Sequence, residues 1–223
     1  YSDAGPFPAG VIFRNDILRT DKQIGLFGET TFDISDQFAL TLGARYYDIE
    51  VDLEGSANSS FFNLGQTNDA QRAGTNISAQ FSPDNTVGAP DKAETDGFIF
   101  KATGTWTPTP DHLLFATYSE GFRPGLLNRP GGAAGPNGFT VPYALDTDDV
   151  QNYELGVKSE FFNNSLRFNG SAFFVKVERL QTTIFDPSIS NLFFSDNAAN
   201  AEIKGFEGDI TWAPSSIDGL TIA

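Results

Sequence analysis

Along most of this chain charge is confined to every second residue, and no other property of the sequence restricts the fold so tightly. In residues 23–34 the positions Ile24, Leu26, Gly28, Thr30, Phe32 and Ile34 carry no charge, while Glu29 and Asp33 fall in the other phase. A period of two sends alternate side chains to opposite faces of a β-strand, so such a run predicts a strand with one apolar and one polar face. Phe38, Leu40, Leu42, Ala44 and Tyr46 alternate with Arg45 in the same way, and Phe98, Phe100, Ala102, Gly104 and Trp106 with Lys101. Leu114, Ala116 and Tyr118 continue the pattern. Tyr153, Leu155, Val157 and Phe161 alternate with Glu154, Lys158 and Glu160, Leu166 to Phe174 with Arg167, and Phe206 to Trp212 with Glu207 and Asp209.

Composition narrows the chemistry. The 223 residues include no Cys, no Met and one His, which leaves no thiolate metal site and no histidine cluster. His112 lies in a Pro-Asp-His turn with no nucleophile placed beside it, so it reads as a solvated turn residue; no catalytic residue, metal ligand or cofactor is expected, and no enzyme. A net charge of −15 with only 14 basic residues excludes a nucleic-acid partner. The mean hydropathy of −0.24 sits oddly with 22 Phe, because so much aromatic surface needs an apolar phase to face.

No apolar run is long enough for a spanning helix, which leaves the closed β-barrel as the architecture that crosses a bilayer with alternating strands. A soluble β-sandwich also alternates, and the connections separate the two. Short turns at residues 35–37, 108–112, 163–164 and 214–219 take turns with long polar connections at 52–96, 124–149 and 182–199. A membrane barrel sorts its loops in this way, with tight turns at one end and long loops at the other, whereas a sandwich has no reason to. The expected fold is therefore all-β: an antiparallel transmembrane β-barrel, here a partial barrel of about eight meandering strands, with short periplasmic turns and long extracellular loops.

Three stretches then carry a family resemblance. LLFATYSEGFRPG at residues 113–125, NYELGVKSEFFNNSLRFNGSAFF at 152–174 and NAEIKGFEGDITWAP at 200–214 resemble the barrel of TonB-dependent outer-membrane receptors, and GLFGETTFDISDQFALTLGARY at 25–46 resembles their strand-turn-strand repeat. The resemblance implies that residues 1–223 are one part of a plugged barrel of about 22 strands, with the plug domain and the C-terminal strands absent. It implies residence in the outer membrane of a Gram-negative bacterium, in contact with lipid and lipopolysaccharide. It further implies import of a scarce bulky solute, above all a ferric siderophore, energised by the TonB complex through the missing N-terminal region. A passive outer-membrane channel and a soluble carbohydrate-binding sandwich are the alternatives.

Under this reading Phe122, Arg123, Asn128, Arg129 and Tyr143 are the candidate ligand contacts in the extracellular loops, with Phe61, Phe62 and Phe193 as further loop aromatics. Glu29, Arg45, Lys101, Glu154, Lys158, Arg167 and Glu207 are expected to face the lumen, where wall-to-wall or wall-to-plug ion pairs account for them. Phe27, Phe115 and Phe173 interrupt the polar phase and read as packing residues. The segment 52–96 is expected to be a long extracellular loop with little fixed structure beyond a short hairpin or helical turn of its own, and the acidic run 146–149 to be solvated surface. Phe32, Trp106, Phe161 and Trp212 each precede a short turn in the apolar phase and are expected to form one aromatic girdle on the outer wall.

Overall fold

In the computed structural model, residues 13–59, 75–76, 92–190, 192–214, 216–217 and 219–223 are described. They form β1 (Phe13–Asp33), β2 (Phe38–Ser59), β3 (Thr75–Asn76), β4 (Lys92–Thr109), β5 (His112–Arg123), β6 (Asp148–Phe161), β7 (Leu166–Ile184) and β8 (Phe194–Trp212). All pair antiparallel in one sheet of order β1-β2-β4-β5-β6-β7-β8, a meander, with β3 bonded to the end of β2. Ile222 bridges back to Trp212 in an isolated antiparallel pair.

The pairing register fixes the tilt. One ladder row runs Phe32, Leu40, Gly104, Ala116, Leu155, Ala172, Phe206. Phe32 stands at the short turn that follows β1, yet on β8, six strands away, the residue at the turn is Trp212, six positions beyond the row. The ladder therefore drifts by one residue per strand. With ~3.3 Å per residue and ~4.8 Å between strands, this is a tilt of about 35°, within the range of transmembrane barrels.

The upper edge of the apolar face drifts in step. The first charged or amide residue of that phase is Lys22 on β1, Asp48 on β2, Asp96 on β4, Glu120 on β5, Gln151 on β6, Lys176 on β7 and Lys204 on β8. Lys22 lies ten positions above the row on β1, and Lys204 only two above it on β8. On five of the strands the apolar stretch is nine residues, as at 24–32, 38–46, 98–106, 153–161 and 166–174. Tilted by 35°, nine residues span about 24 Å, the height of the apolar band a barrel presents to lipid. Large side chains on this face stand open, Leu26 at 68%, Leu155 at 66% and Phe206 at 89% exposed.

The register places Phe32, Trp106, Phe161 and Trp212 on this same face. Corrected for tilt, three of them are level and Phe161 lies about 5 Å nearer the turns. His112 joins this belt by packing its ring 5.2 Å from that of Phe161.

Glu29, Arg45, Lys101, Glu154, Lys158, Arg167 and Glu207 all fall on the opposite face. Two of the interrupting aromatics prove to be cross-strand covers for glycine. Phe115 lies over its partner Gly156, where a Cβ would approach the ring to 2.2 Å, and Phe173 lies over Gly205, at 2.6 Å. Phe27 is 86% exposed on that face.

Above the charged edge the faces exchange character. Asp48, Glu50, Asp52 and Glu54 continue the formerly apolar phase, and Tyr47, Ile49, Val51 and Leu53 the formerly polar one, where they are buried. Hydrogen bonds from Lys22 and Lys92 hold the Glu50 carboxyl below the usual carboxylate range. The buried side chains of β2 form one cluster with Leu127, between β5 and β6, and Leu192, between β7 and β8. Groups from strands that far apart in a sheet meet only inside its curve, so the charged face is the concave one.

Two expectations are corrected. β2 runs to Ser59 and β4 starts at Lys92, so strands occupy both ends of 52–96; within that segment Thr75 and Asn76 pair with Ala57 and Ser56. β7 and β8 likewise extend to Ile184 and from Phe194, shortening the 182–199 connection. Strands outrun the bilayer because the inverted alternation gives them a core of their own above it. Phe61 and Phe62 lie outside the described residues.

The face assignment predicts an asymmetric cost. Ala102→Arg, in mid-band on the apolar face, should destabilise the protein by ~2–4 kcal/mol in lipid-vesicle unfolding, whereas Lys101→Arg, one residue away on the concave face, should cost less than ~1 kcal/mol.

Candidate functional site

The end of β5 departs from regular strand geometry one residue at a time. The β4–β5 ladder stops at Lys101 and Ser119, although both strands continue. Beyond it the Glu120 carboxylate takes the place of the missing strand partner, accepting from the Phe100 backbone N–H at 3.0 Å and from the Tyr118 hydroxyl at 2.7 Å. With the ladder open, Phe122 turns inward and stacks on Tyr47, ring centroids 3.7 Å apart. Tyr47 itself lies against Gly97, whose hydrogen leaves the only room available: a Cβ there would be 2.8 Å from the Tyr47 hydroxyl.

Arg123 closes the neck of the connection that follows. Its Nε donates to Asp148 Oδ2 at 2.8 Å, its Nη2 donates to the same oxygen, and its backbone N–H donates to Oδ1 at 2.8 Å. Nη2 also donates to the Gln181 carbonyl at 3.1 Å. The Asp148 side chain is 3% exposed and the Arg123 side chain 53%, so the carboxylate is the buried partner. Gln181 ties both ends of the neck by donating to the Pro124 carbonyl at 2.9 Å and the Asp146 carbonyl at 3.0 Å. Gly125 passes so near Leu145 that a Cβ would stand 2.2 Å from its carbonyl oxygen.

Between these ends, residues 124–147 fold back on themselves. Leu127 pairs with Ala144 and Ala134 with Thr140, around a tip at Pro136–Gly138 where Asn137 takes φ 56°. Leu127, Val141 and Leu145 are buried. Asn128, 4% exposed, donates to the Ser195 and Pro142 carbonyls and accepts from the Ser195 N–H at 2.8 Å, which joins the segment to β8. Asn197 exchanges two more bonds with the Asp146 backbone. On the far side Arg129 reaches Asn15 of β1 at 3.1 Å, and burial pushes its guanidinium down from the ordinary value.

Lower on the concave wall the charges are set apart from this segment. Lys101 pairs with Glu29 at 3.1 Å and Arg167 with Glu160 at 2.8 Å, while the Arg45 guanidinium lies along Gly25. Glu154, Lys158, Glu207 and Asp209 line one open hollow with Phe115, Asn169 and Ser171. Among the described residues no group of three His, Cys, Asp or Glu is arranged to hold a metal ion.

The structure thus gathers Asn128, Arg129 and Tyr143 in one folded segment, with Phe122 and Arg123 at its neck on the end of β5. Phe122 and Asn128 are occupied in holding it, and Tyr143 packs beside the cluster of β2. Phe193 lies outside this segment, its ring 4.7 Å from that of Phe185. The acidic run is corrected at Asp148, which is a buried clamp residue rather than solvated surface, because Arg123 and the backbone N–H replace its water. Sequence reasoning missed Glu120, Asp148, Gln181 and Asn197. The inverted alternation of residues 47–54 was the available signal for the surface on which the segment packs.

A family model described as TonB dependent receptor-like, beta-barrel, matches residues 1–222. Among solved structures the fold is similar to the ferric yersiniabactin uptake receptor FyuA of Yersinia pestis, with a TM-score of 0.61 and 15% identity over 88% of this chain and 25% of that one. It is similar to the ferric-catecholate import receptor Fiu of E. coli K12, with a TM-score of 0.59, 14% identity and coverage of 88% and 26%. The copper transporter OprC gives a TM-score of 0.59, 15% identity and coverage of 88% and 27%. The chain spans about a quarter of the length of these proteins. No curated protein matches the sequence.

The clamp generates a prediction. Arg123→Ala strands a buried carboxylate and should cost roughly 2–3 kcal/mol, toward the low end for a buried pair because the guanidinium is half exposed. The loss should appear as faster hydrogen exchange at the Asn128 and Leu145 amides, which are bonded within the segment. Arg123→Lys should recover only part of it, since one ammonium cannot reproduce the paired Nε and Nη2 contacts.

Proposed function

The chain belongs to the TonB-dependent receptor family, as part of its β-barrel domain, and from that premise we propose that the protein imports a ferric siderophore with energy from the TonB complex. The family places it in the outer membrane of a Gram-negative bacterium, which gives the two ends of the sheet their sides: short turns in the periplasm, long connections outside. The observation that carries the reading is the folded segment 124–147, packed on the concave side of the wall above the bilayer, where an arriving solute first meets the barrel.

Of the five candidate contacts Asn128 is buried and the half-buried Phe122 is stacked on Tyr47, and we assign solute contact to the other three, Arg123, Arg129 and Tyr143. Arginines suit an anionic chelate, because a guanidinium presents several donors in a fixed plane and stays charged when partly desolvated. Iron as cargo is supported by the names of the uptake receptors with this fold, and copper by that of OprC. The charged rows above the apolar band are assigned to the lipopolysaccharide leaflet.

A passive channel is the second reading, favoured by the inward position of the 124–147 segment, since channels narrow their lumen with such a loop. Uptake of radiolabelled ferric siderophore separates the two. Import that falls by at least about tenfold when the full-length receptor is deleted, and equally when TonB is removed or the membrane is de-energised, is the expected result. Uptake that persists without energy would establish the channel, and siderophore-independent copper uptake would reassign the cargo.

A further inference from the structure

The segment that roofs the concave wall has the attachments of a strut. It is held at the neck by Arg123, Asp148 and Gln181, along its length by Asn128 and Asn197 to β8, and on the far side by Arg129 to β1. These ties reach strands six places apart in the sheet, so the segment is a chord across the curve. Three of its apolar side chains are buried, and its tip meets the β7–β8 connection, where Ile189 fills the space beside Gly135.

We infer that residues 124–147 are a fixed buttress of the extracellular mouth and not a closing lid, so that solute docks against them and passes without their displacement. Moving elements in transport are drawn from regions with few buried contacts and solvent-exposed backbone hydrogen bonds. Here displacement would expose Leu127, Val141 and Leu145 and break the hydrogen bonds that Asn128, Gln181 and Asn197 make to or from the segment. The open β4–β5 ladder serves the same end: by satisfying the Phe100 N–H, Glu120 frees β5 to turn its last residues inward. The consequence for solute passage rests on the transport reading, but the rigidity does not.

Residues 1–223 contain no cysteine, so within them an engineered pair meets no competing thiol. A Cβ built at Gly135 lies 3.0 Å from Ile189 Cγ1, and Gly135 is extended at φ −117°, so Gly135→Cys with Ile189→Cys fits disulfide geometry. In the full-length receptor in outer membranes, the pair should oxidise readily. The oxidised form should bind and import ferric siderophore within about twofold of the reduced form, as expected for a part that does not gate. Loss of import by about tenfold or more on oxidation, reversed by reductant, would overturn the inference, as would failure of the pair to oxidise. Hydrogen exchange at Gly132, Val141 and Leu145, whose amides are bonded within the segment, decides rigidity even if the unmodified receptor imports nothing. Exchange as slow as that of the wall strands supports the buttress, and exchange as fast as that of an exposed turn refutes it.

Discussion

In hydrocarbon every backbone N–H and C=O must find a partner within the protein, and the architecture of this chain follows from that requirement. An antiparallel ladder meets it only if each strand is bonded on both sides, and each strand must then keep charge off the face that meets lipid. The drift of one residue per strand joins these two conditions. It tilts the strands by about 35°, and at that tilt the charged positions that bound the apolar face, from Lys22 to Lys204, fall at nearly one height. Neither the register nor the charge pattern alone defines a membrane plane. Their agreement over seven strands does.

At that plane the solvent on the outer side changes from lipid to water, and the strands respond by exchanging faces. On β2 the change falls between Tyr46, the last outward apolar residue, and Asp48, with Tyr47 the first buried inward one. Below the plane the concave face can be polar, with its ion pairs and its glycines covered by Phe115 and Phe173. Above it the outward face is wet and charged, so burial is available only inside. The inverted stretch thus creates an apolar surface in the mouth of the barrel, and residues 124–147 are what covers it. A loop of 24 residues rich in Gly, Pro and Ala would otherwise bury little against the entropy of ordering. The segment is folded because the wall beneath it is.

Much of this was legible in the sequence and part was not, for reasons that can be named. Strand phase, turn positions and the girdle residues were readable because a period of two and a turn are local properties. The strand extensions were missed because one phase was followed as apolar throughout, so Asp48, Glu50, Asp52 and Glu54 read as the start of a loop. Their alternation with Tyr47, Ile49, Val51 and Leu53 is as regular as any in the band, only reversed. Asp148 and Gln181 were hidden for a deeper reason: the first is 25 residues from Arg123 and the second 58, and nothing local marks either as its partner. The motif residues Phe122 and Arg123 stood out, but their contacts belong to the fold.

The position of the open seam between β4 and β5 shows the lipid constraint acting at its limit. Releasing β5 from β4 is what lets Phe122 reach Tyr47 and Arg123 reach Asp148, and a longer release would give the mouth more room. Each further row opened would leave unpaired backbone groups on both strands. Above the charged edge water can satisfy them, but below it nothing can. The seam opens at Lys101 and Ser119, and Phe100, the first β4 residue above it, lies just inside the band edge set by Asp96 and Glu120. Its N–H faces the opened side of β4 at that depth, and it receives a side-chain acceptor. A glutamate is long enough to span the opened ladder, and its second oxygen is occupied by Tyr118. One carboxylate thus repairs the opened ladder at its first open row, and residues 124–147 follow from the strand end that the opening releases.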